Sequence, residues 1–433
     1  MTSPDVIDLV IDGALAWILT ALCCYLFLRR TIYNALDPLV IVNVAIPFSA
    51  ALLVVLCVTD LVTWDKLSLF TLVLLAYLVG GRVAAAFFGR GSFREIVRHS
   101  LADIREDQVI AVLIVTVLVT MAVAALGLAT GAEGDARLAF GRVFRPILLL
   151  QNGLFLISLL LLLAPSVPTP RAWLWLVLLV ALSVPFSGKS VLVPVVYWVG
   201  FRLYLQRRRI RLRTIFWSVL AIAVGVTVMG ILAYSTSSPG AAFLLFTNRL
   251  WMSGDVYIFA YQREGLASVH ANYPVSFTAY VLHPLTSLVG IRGYEKPLGS
   301  MLASEVMRDD VLTGPNPQLP VVLDYFFSED YGAILPLALV TGLLVIGVRP
   351  LGMFIARSVR SRYLRIGAIV AAIFAPPAGF LDTSLVAIAL VGIMGATALL
   401  VALELVWPRR LASVPTEHTF PASPPHTLPT STS

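Results

Sequence analysis

VIAVLIVTVLVTMAVAALGLA, residues 109–129, contains no charged side chain. A helix of this length rises about 30 Å, which is the thickness of the hydrocarbon core of a bilayer. Apolar runs of this kind recur from one end of the chain to the other. Of the 433 residues 59% are hydrophobic and 13% are charged, whereas soluble domains carry about a quarter charged residues. The sequence therefore predicts an all-α polytopic membrane protein.

Eleven transmembrane helices are predicted from these runs. Arginine clusters follow the first, third, seventh, ninth and eleventh of them. Because cytoplasmic loops carry an excess of Lys and Arg, these clusters place the N-terminus outside and the C-terminus in the cytoplasm. The predicted spans are about 7–28, 38–58, 67–88, 109–129, 147–163, 172–184, 191–205, 215–234, 333–348, 366–381 and 384–406.

A long segment without a clear span of its own, 235–332, interrupts this series. Such long loops are usually functional or disordered, and its content of Phe, Tyr, Trp and Leu argues against disorder. We therefore expect it to be the working part of the protein, a large outer loop with amphipathic helices. The remaining divisions are 1–234 with helices 1–8, 333–410 with helices 9–11, and 411–433, a Pro/Ser/Thr-rich tail expected to be disordered and cytoplasmic.

Charge and cysteine content exclude several classes of function. The formal charge of +7 comes mostly from arginines at helix ends, so we do not expect nucleic-acid binding. The three cysteines lie in apolar spans, which makes a disulfide framework or a thiolate metal site improbable. SGKS at 187–190 ends like a phosphate-binding P-loop but lacks the earlier glycine, so nucleotide binding is rejected.

Basic residues on the predicted outer side are informative because cations are disfavoured there. Guanidinium groups bind phosphate bidentately and lysine binds it as a point charge, so converging outer cations suit a diphosphate. Single members of the set could equally snorkel at the interface or pair with acids of the outer loop. The set is Arg137, Arg142, Arg145, Lys189, Arg249, Arg263, Arg292, Lys296 and Arg308. Arg142, Lys189 and Arg249 stand at or close to junctions of helices with the outer face, where a membrane-embedded phosphate would lie.

Candidates for proton transfer lie in the same segment. His283 follows an apolar run, whereas His270 has the setting of an ordinary loop histidine. Asp255 and Asp324 are carboxylates inside apolar stretches, where they need partners, and the outer arginines are the expected ones. Aromatic residues such as Tyr261 could stack on sugar rings or form an interface belt. No metal-ligand spacing surrounds the histidines, so no metal is expected.

These motifs carry a resemblance to a known family. GRVFRPILLLQNG at 141–153, the PFSGKS turn at 185–190 and TGPNPQLPVVLDYFFSEDYGAILPLALVTGLL at 313–344 resemble O-antigen and exopolysaccharide polymerases of the Wzy type. Arg142 and Gly153 fit an R-x(10)-G spacing described for outer loops of some members. Lys189 stands where the family usually has arginine, and eleven spans replace the usual even number.

The resemblance implies a GT-C-like polymerase architecture in the bacterial inner membrane, with the large loop in the periplasm. It implies metal-independent glycosyl transfer between polyprenyl-diphosphate-linked oligosaccharides, without a cofactor, and partners that regulate chain length or flip the substrate. Residues expected to bind the diphosphate are Arg142, Arg145, Lys189 and Arg263. Residues expected to act in catalysis are Arg249, His283, Asp255 and Asp324, with the identity of the base left open among the last three.

Three alternatives remain open. One is a purely structural partner of a biosynthetic complex, in which single changes at Arg142, Lys189 and Arg249 would have little effect. A ligase of the O-antigen ligase kind would use the same chemistry and transfer the finished glycan to another acceptor. A transporter of lipid-linked oligosaccharides belongs to a different class. The sequence argues against the transporter because it has no clear internal repeat and no obvious discontinuous helix.

Overall fold

The computed structural model describes residues 6–29, 31–34, 36–43, 45–88, 93–129, 144–187, 192–206, 254–261, 265–286, 296–308, 315–328, 330–375, 380 and 383–406. Within these ranges the secondary structure is entirely helical. In chain order the helices are α1 (Val6–Leu28), α2 (Pro38–Asn43), α3 (Ala45–Val58), α4 (Trp64–Phe88), α5 (Phe93–Ala102), α6 (Glu106–Ala129), α7 (Arg145–Leu161), α8 (Thr169–Ser187), α9 (Leu192–Leu205), α10 (Asp255–Tyr261), α11 (Gly265–Asn272), α12 (Phe277–Thr286), α13 (Leu298–Met307), α14 (Leu319–Phe327), α15 (Tyr331–Ser358), α16 (Arg362–Phe374) and α17 (Thr383–Val406).

Six segments in the described part of the chain are long and apolar enough to cross a membrane. They correspond to the predicted spans one to four, nine and eleven, and at these positions the prediction is confirmed. Their bounds are Ile7–Leu28, Pro38–Val58, Trp64–Phe87, Glu106–Gly127, Tyr331–Ser358 and Val386–Leu405.

The other predicted spans are shorter helices or lie outside the described residues. Helices α7, α8, α9 and α16 have 17, 19, 14 and 13 residues. The helix predicted for 366–381 ends at Phe374 and rises only about 20 Å, which is less than the hydrocarbon thickness of about 30 Å. The predicted span 215–234 lies outside the described residues. A full set of eleven spans is therefore not established.

Helices α4 and α15 lie side by side at the centre of the fold. A Cβ atom on Gly342 would lie 1.9 Å from the carbonyl oxygen of Tyr77, so the two backbones are in direct contact. Further along, Gly347 faces Ala84, which shows that the two helices run in the same direction. Small residues allow this close approach between apolar helices.

A buried ion pair joins α15 to the turn between α1 and α2. The Arg349 side chain is 5% exposed and donates from Nη1 and Nη2 to the two carboxylate oxygens of Asp37, at 2.8 and 2.9 Å. Backbone groups fill the remaining positions, with Thr31 and Ala372 carbonyls accepting from the guanidinium and the Tyr33 and Leu39 amides donating to the carboxylate. We call this the Arg349 end of the bundle, and the end where α4 and α15 begin the Lys66 end.

Helices α10 and α14, from the segment predicted as the outer loop, are inserted between the long helices. A Cβ atom on Gly254 would lie 3.0 Å from the Cα of Ser49, which is about halfway along the span Pro38–Val58. The side-chain amide of Gln318 donates to the Ser49 hydroxyl at 2.6 Å and accepts from Tyr257 at 2.8 Å. Both helices thus begin at mid-span depth, and this part of the segment is not a loop lying outside the bundle.

Non-helical backbone meets α14 at the same depth. The amide of Leu319, the first residue of α14, donates to the carbonyl of Phe380 at 2.9 Å, in the connection between α16 and α17. Phe380 is buried against Phe70 and Tyr77 of α4, with ring centroids 5.9 and 5.3 Å apart. Such backbone is tolerated within a membrane where it is buried in protein. The connection between α16 and α17 thus has non-helical backbone at mid-span depth.

Helix α7 packs on α17 through two glycines. A Cβ atom on Gly153 would lie 2.0 Å from the carbonyl oxygen of Gly392. The glycine of the R-x(10)-G spacing thus has a packing role in the described structure.

Candidate functional site

The polar cluster at the Lys66 end is centred on Asp324. This residue lies on α14, is 0% exposed and accepts a hydrogen bond from Lys66 Nζ at 2.8 Å. The Lys66 side chain, on the first turn of α4, is 21% exposed and its Nζ lies 5.0 Å from the ring centroid of Tyr261. The predicted partner of Asp324 was an outer arginine. That prediction is wrong, because the acid pairs with a lysine.

Two polar atoms of this cluster are left unsatisfied. Asp324 Oδ1 and the Tyr261 hydroxyl are both buried, and neither has a hydrogen-bond partner within the described part of the chain. Burial, and then the neighbouring Asp324 carboxylate, raise the pKa of Tyr261 well above its ordinary value. The two groups are therefore close to each other. The phenol keeps its proton and can donate to an incoming group.

The ion pairs Arg349–Asp37 and Lys66–Asp324 differ in how many of their carboxylate oxygens accept hydrogen bonds. At the Arg349 end both carboxylate oxygens of Asp37 accept from the guanidinium and from backbone amides. At the Lys66 end, among the residues that the structure describes, one oxygen of Asp324 accepts a hydrogen bond and the other does not. A buried polar atom without a partner is uncommon and calls for a reason, such as a ligand or an ordered water. The first pair has the form of a structural contact and the second that of a binding site.

A second polar contact joins the inserted segment to the helix bundle. Nη1 of Arg145, the first residue of α7, lies 3.3 Å from Nε2 of His283 on α12. A guanidinium has only donors, so in this contact Nε2 is the acceptor and the proton of the neutral ring is on Nδ1. The structure thus brings together one residue predicted to bind the diphosphate and one predicted to act as a base.

Aromatic packing connects the elements that carry the two clusters. The rings of Tyr280 on α12 and Phe326 on α14 are 5.3 Å apart. His283 lies about one turn beyond Tyr280, and Asp324 lies within a turn of Phe326. Tyr280 itself is buried, so its ring packs inside the protein.

The remaining predicted residues are placed elsewhere or not described. Asp255 is the first residue of α10 and is half-buried next to Gly254, at the deep end of that helix. Tyr261, at the other end of α10, is the residue that lies beside Lys66. Four predicted residues lie outside the described residues: Arg142, Lys189, Arg249 and Arg263. Among the described residues no three His, Cys, Asp or Glu side chains are grouped as metal ligands would be.

The sequence analysis missed Lys66 and the hydroxyl of Tyr261. Lys66 stands just before the predicted third span, on the side where cations are disfavoured, so the criterion that selected Arg145 also applies to it. Tyr261 had no comparable signal, because sequence cannot show which of many aromatic residues lies beside a buried acid.

Fold and site together define a class: over the residues that the structure describes, the protein is helical, with six segments of membrane-spanning length and an inserted segment that forms a polar cluster at one end. No protein-family model, curated protein or solved structure matches the chain.

Proposed function

We propose that the protein is a polymerase that joins polyprenyl-diphosphate-linked oligosaccharide repeat units into a polysaccharide by metal-independent glycosyl transfer. In this proposal the chain has eleven spans and lies in the bacterial inner membrane, and its Lys66 end faces the periplasm. The inserted helices α10 to α14 then belong to a large periplasmic segment folded over the reaction site. The resemblance of 131–344 to Wzy-type polymerases supports this assignment.

The contact between Arg145 and His283 carries the proposal. Glycosyl transfer from a diphosphate donor needs stabilisation of the negative charge on the leaving diphosphate, and it needs an acceptor for the proton of the attacking hydroxyl. A guanidinium and an imidazole within 3.3 Å of each other supply both groups in one place.

The reaction can be written with these two side chains. The donor diphosphate takes hydrogen bonds from the Arg145 guanidinium, which releases the lone pair on Nε2 of His283. Nε2 accepts the proton of an acceptor hydroxyl while the hydroxyl oxygen forms a bond to the anomeric carbon of the donor. The bond from that carbon to the diphosphate oxygen breaks, and polyprenyl diphosphate leaves with the negative charge held by Arg145.

Complementation of a strain lacking this chain tests the proposal. The strain carries wild type, Arg145→Ala, His283→Gln or the control Arg171→Ala at equal abundance. Arg171 is 63% exposed and bonds Glu106, away from the site. Loss of a charge-stabilising donor costs about 10²–10³ in rate and loss of a general base about 10²–10⁴. Both site variants should lose long polymer and accumulate single lipid-linked repeat units, whereas Arg171→Ala should behave as wild type.

Other outcomes separate the alternatives. A wild-type distribution of polymer lengths in both site variants removes the pair from the mechanism. Full-length polymer in the deletion strain, unattached to its final acceptor, would replace the polymerase by a ligase of the O-antigen ligase kind.

A transporter of lipid-linked oligosaccharides is the second candidate, and the discontinuous backbone favours it. The start of α14 and the carbonyl of Phe380 meet at mid-span depth, an arrangement typical of substrate sites in transporters. Reconstituted protein separates the two functions. A transporter moves lipid-linked oligosaccharide across vesicle membranes without changing its length, whereas a polymerase lengthens it in detergent.

A further inference from the structure

Two unsatisfied polar atoms lie together at the Lys66 end. Asp324 Oδ1 offers lone pairs without a donor, and the Tyr261 hydroxyl has no partner in the described part of the chain. The third member, Lys66 Nζ, donates a hydrogen bond to Asp324 Oδ2. An ammonium has three N–H donors, so it can bond a further acceptor. The cluster thus offers one strong acceptor and two donors around the same point.

At the deep ends of α10 and α14, comparable buried polar groups do have hydrogen-bond partners. Tyr257, one turn before Tyr261 on α10, donates to Gln318, and Gln318 donates to Ser49. The two tyrosine rings are stacked 6.0 Å apart, so they share one helix face and differ in whether the hydroxyl has a partner. An unfilled acceptor and an unfilled hydroxyl destabilise a fold. Their presence side by side therefore indicates a group supplied from outside the described part of the chain.

The charges of the cluster select the chemistry of that group. A metal cation is repelled by the Lys66 ammonium, and a phosphate is repelled by the Asp324 carboxylate. A hydroxyl suits all three positions, because it donates to Asp324 Oδ1 and accepts from Tyr261 or Lys66. An apolar group would leave both atoms unsatisfied.

We infer that Asp324, Tyr261 and Lys66 form a subsite for a sugar hydroxyl, separate from the Arg145–His283 contact. The inference rests on the proposed function, in which this subsite holds the sugar of the acceptor repeat unit. The anionic part of a substrate binds at Arg145, and the uncharged polyol binds at Asp324.

The rate at which the Lys66 amine is acylated measures how far the subsite is occupied. The Lys66 side chain is 21% exposed and its Nζ bonds Asp324, so a ligand bound at Asp324 would lie next to this amine. The chain has three lysines, Lys66, Lys189 and Lys296, so amine acylation at each is resolved by mass spectrometry. Lys296 serves as the reference within each sample.

The binding experiment uses the full chain in lipid nanodiscs. One probe is polyprenyl-diphosphate-linked oligosaccharide extracted from the host strain deleted for this chain. The matched probe is polyprenyl diphosphate without sugar. The sugar-bearing lipid should slow acylation of Lys66 about threefold at about twice its dissociation constant, and the sugar-free lipid should not. Equal protection by both lipids, or by neither, overturns the subsite and leaves an ordered water as the occupant.

A matched pair of variants separates binding from stability. Tyr261→Phe removes a hydroxyl without a partner, so the midpoint of thermal unfolding should stay the same or rise. The loss of one hydrogen bond should weaken protection of Lys66 by the sugar-bearing lipid about five- to tenfold. Tyr257→Phe removes a bonded hydroxyl on the same helix, so it should lower the unfolding midpoint and leave protection unchanged. Unchanged protection in Tyr261→Phe overturns the inference.

The experiments test the proposed subsite and the proposed polymerase mechanism independently. Protection of Lys66 that requires sugar, together with unchanged polymer in the Arg145→Ala strain, supports the subsite and removes the proposed mechanism. Polymer lost in Arg145→Ala without sugar-dependent protection of Lys66 supports the mechanism and removes the subsite.

Discussion

The same isosteric substitution at the two buried ion pairs should have very different costs. Asp37→Asn leaves the Arg349 guanidinium, 5% exposed, without an anion, although it keeps two backbone carbonyls. Removing one partner of a buried pair costs about 3–5 kcal/mol. Asp324→Asn instead removes the anion that accepts a hydrogen bond from Lys66, and the Lys66 ammonium is 21% exposed and can be hydrated. Asp324 is buried but Lys66 is in contact with water, so hydration of the freed ammonium should reduce the cost to about 1 kcal/mol, the upper value for solvent-exposed pairs.

The free energy of unfolding measures this difference. Wild type and both variants are unfolded reversibly in mixed micelles with increasing SDS, and the transition is followed by tryptophan fluorescence. We expect Asp37→Asn to lose about 3–5 kcal/mol and Asp324→Asn about 1 kcal/mol, with activity lost in the second variant despite its stability. Equal costs within about 0.5 kcal/mol, or a larger cost at Asp324, would refute the assignment of the first pair to structure and the second to function.

Two further predictions concern packing and geometry at the α4–α15 contact and the Arg349 end. Gly342→Ala places a methyl group 1.9 Å from the Tyr77 carbonyl oxygen and should lower the free energy of unfolding by about 1–3 kcal/mol or more. Gly395→Ala is the control, because a Cβ atom there has nothing within 4 Å, and in the same unfolding assay it should be neutral or stabilising. Arg349→Lys cannot form the bidentate pair with Asp37 and should cost about 1–3 kcal/mol; an unfolding free energy equal to that of wild type would contradict the geometry.

Helices of spanning length were predictable because bilayer thickness fixes how long an apolar run must be. The end of α16 was not found by this criterion, because the apolar composition continues beyond Phe374. A signal was nevertheless present in Pro376 and Pro377, since a helix usually ends before the residue that precedes a proline. Counting apolar residues in a window ignores this, and it therefore extended the predicted span to 381.

The contacts of the site could not be predicted, although several of its residues could. Asp324 was selected as an acid in an apolar stretch, but its partner Lys66 is 258 positions away in the chain. Arg145 and His283 were each selected from their position relative to predicted helices, and they are 138 positions apart. Contacts at such separations follow from how the inserted segment enters the bundle, and no local pattern encodes that.

The inserted helices α10 and α14 satisfy their polar groups unequally along their length. At the deep end, where an unpaired group would be most costly, Tyr257 and Gln318 have partners. At the Lys66 end, replacing Tyr261 by Phe would remove the hydroxyl that has no hydrogen-bond partner in the described part of the chain. The Tyr33 hydroxyl at the Arg349 end is also buried without a partner among the described residues, and what distinguishes Tyr261 is the unfilled acceptor beside it, Asp324 Oδ1. A tyrosine there is what a site for a hydroxyl-bearing ligand requires, because binding places the missing donor on Asp324 and the missing acceptor on Tyr261 at once.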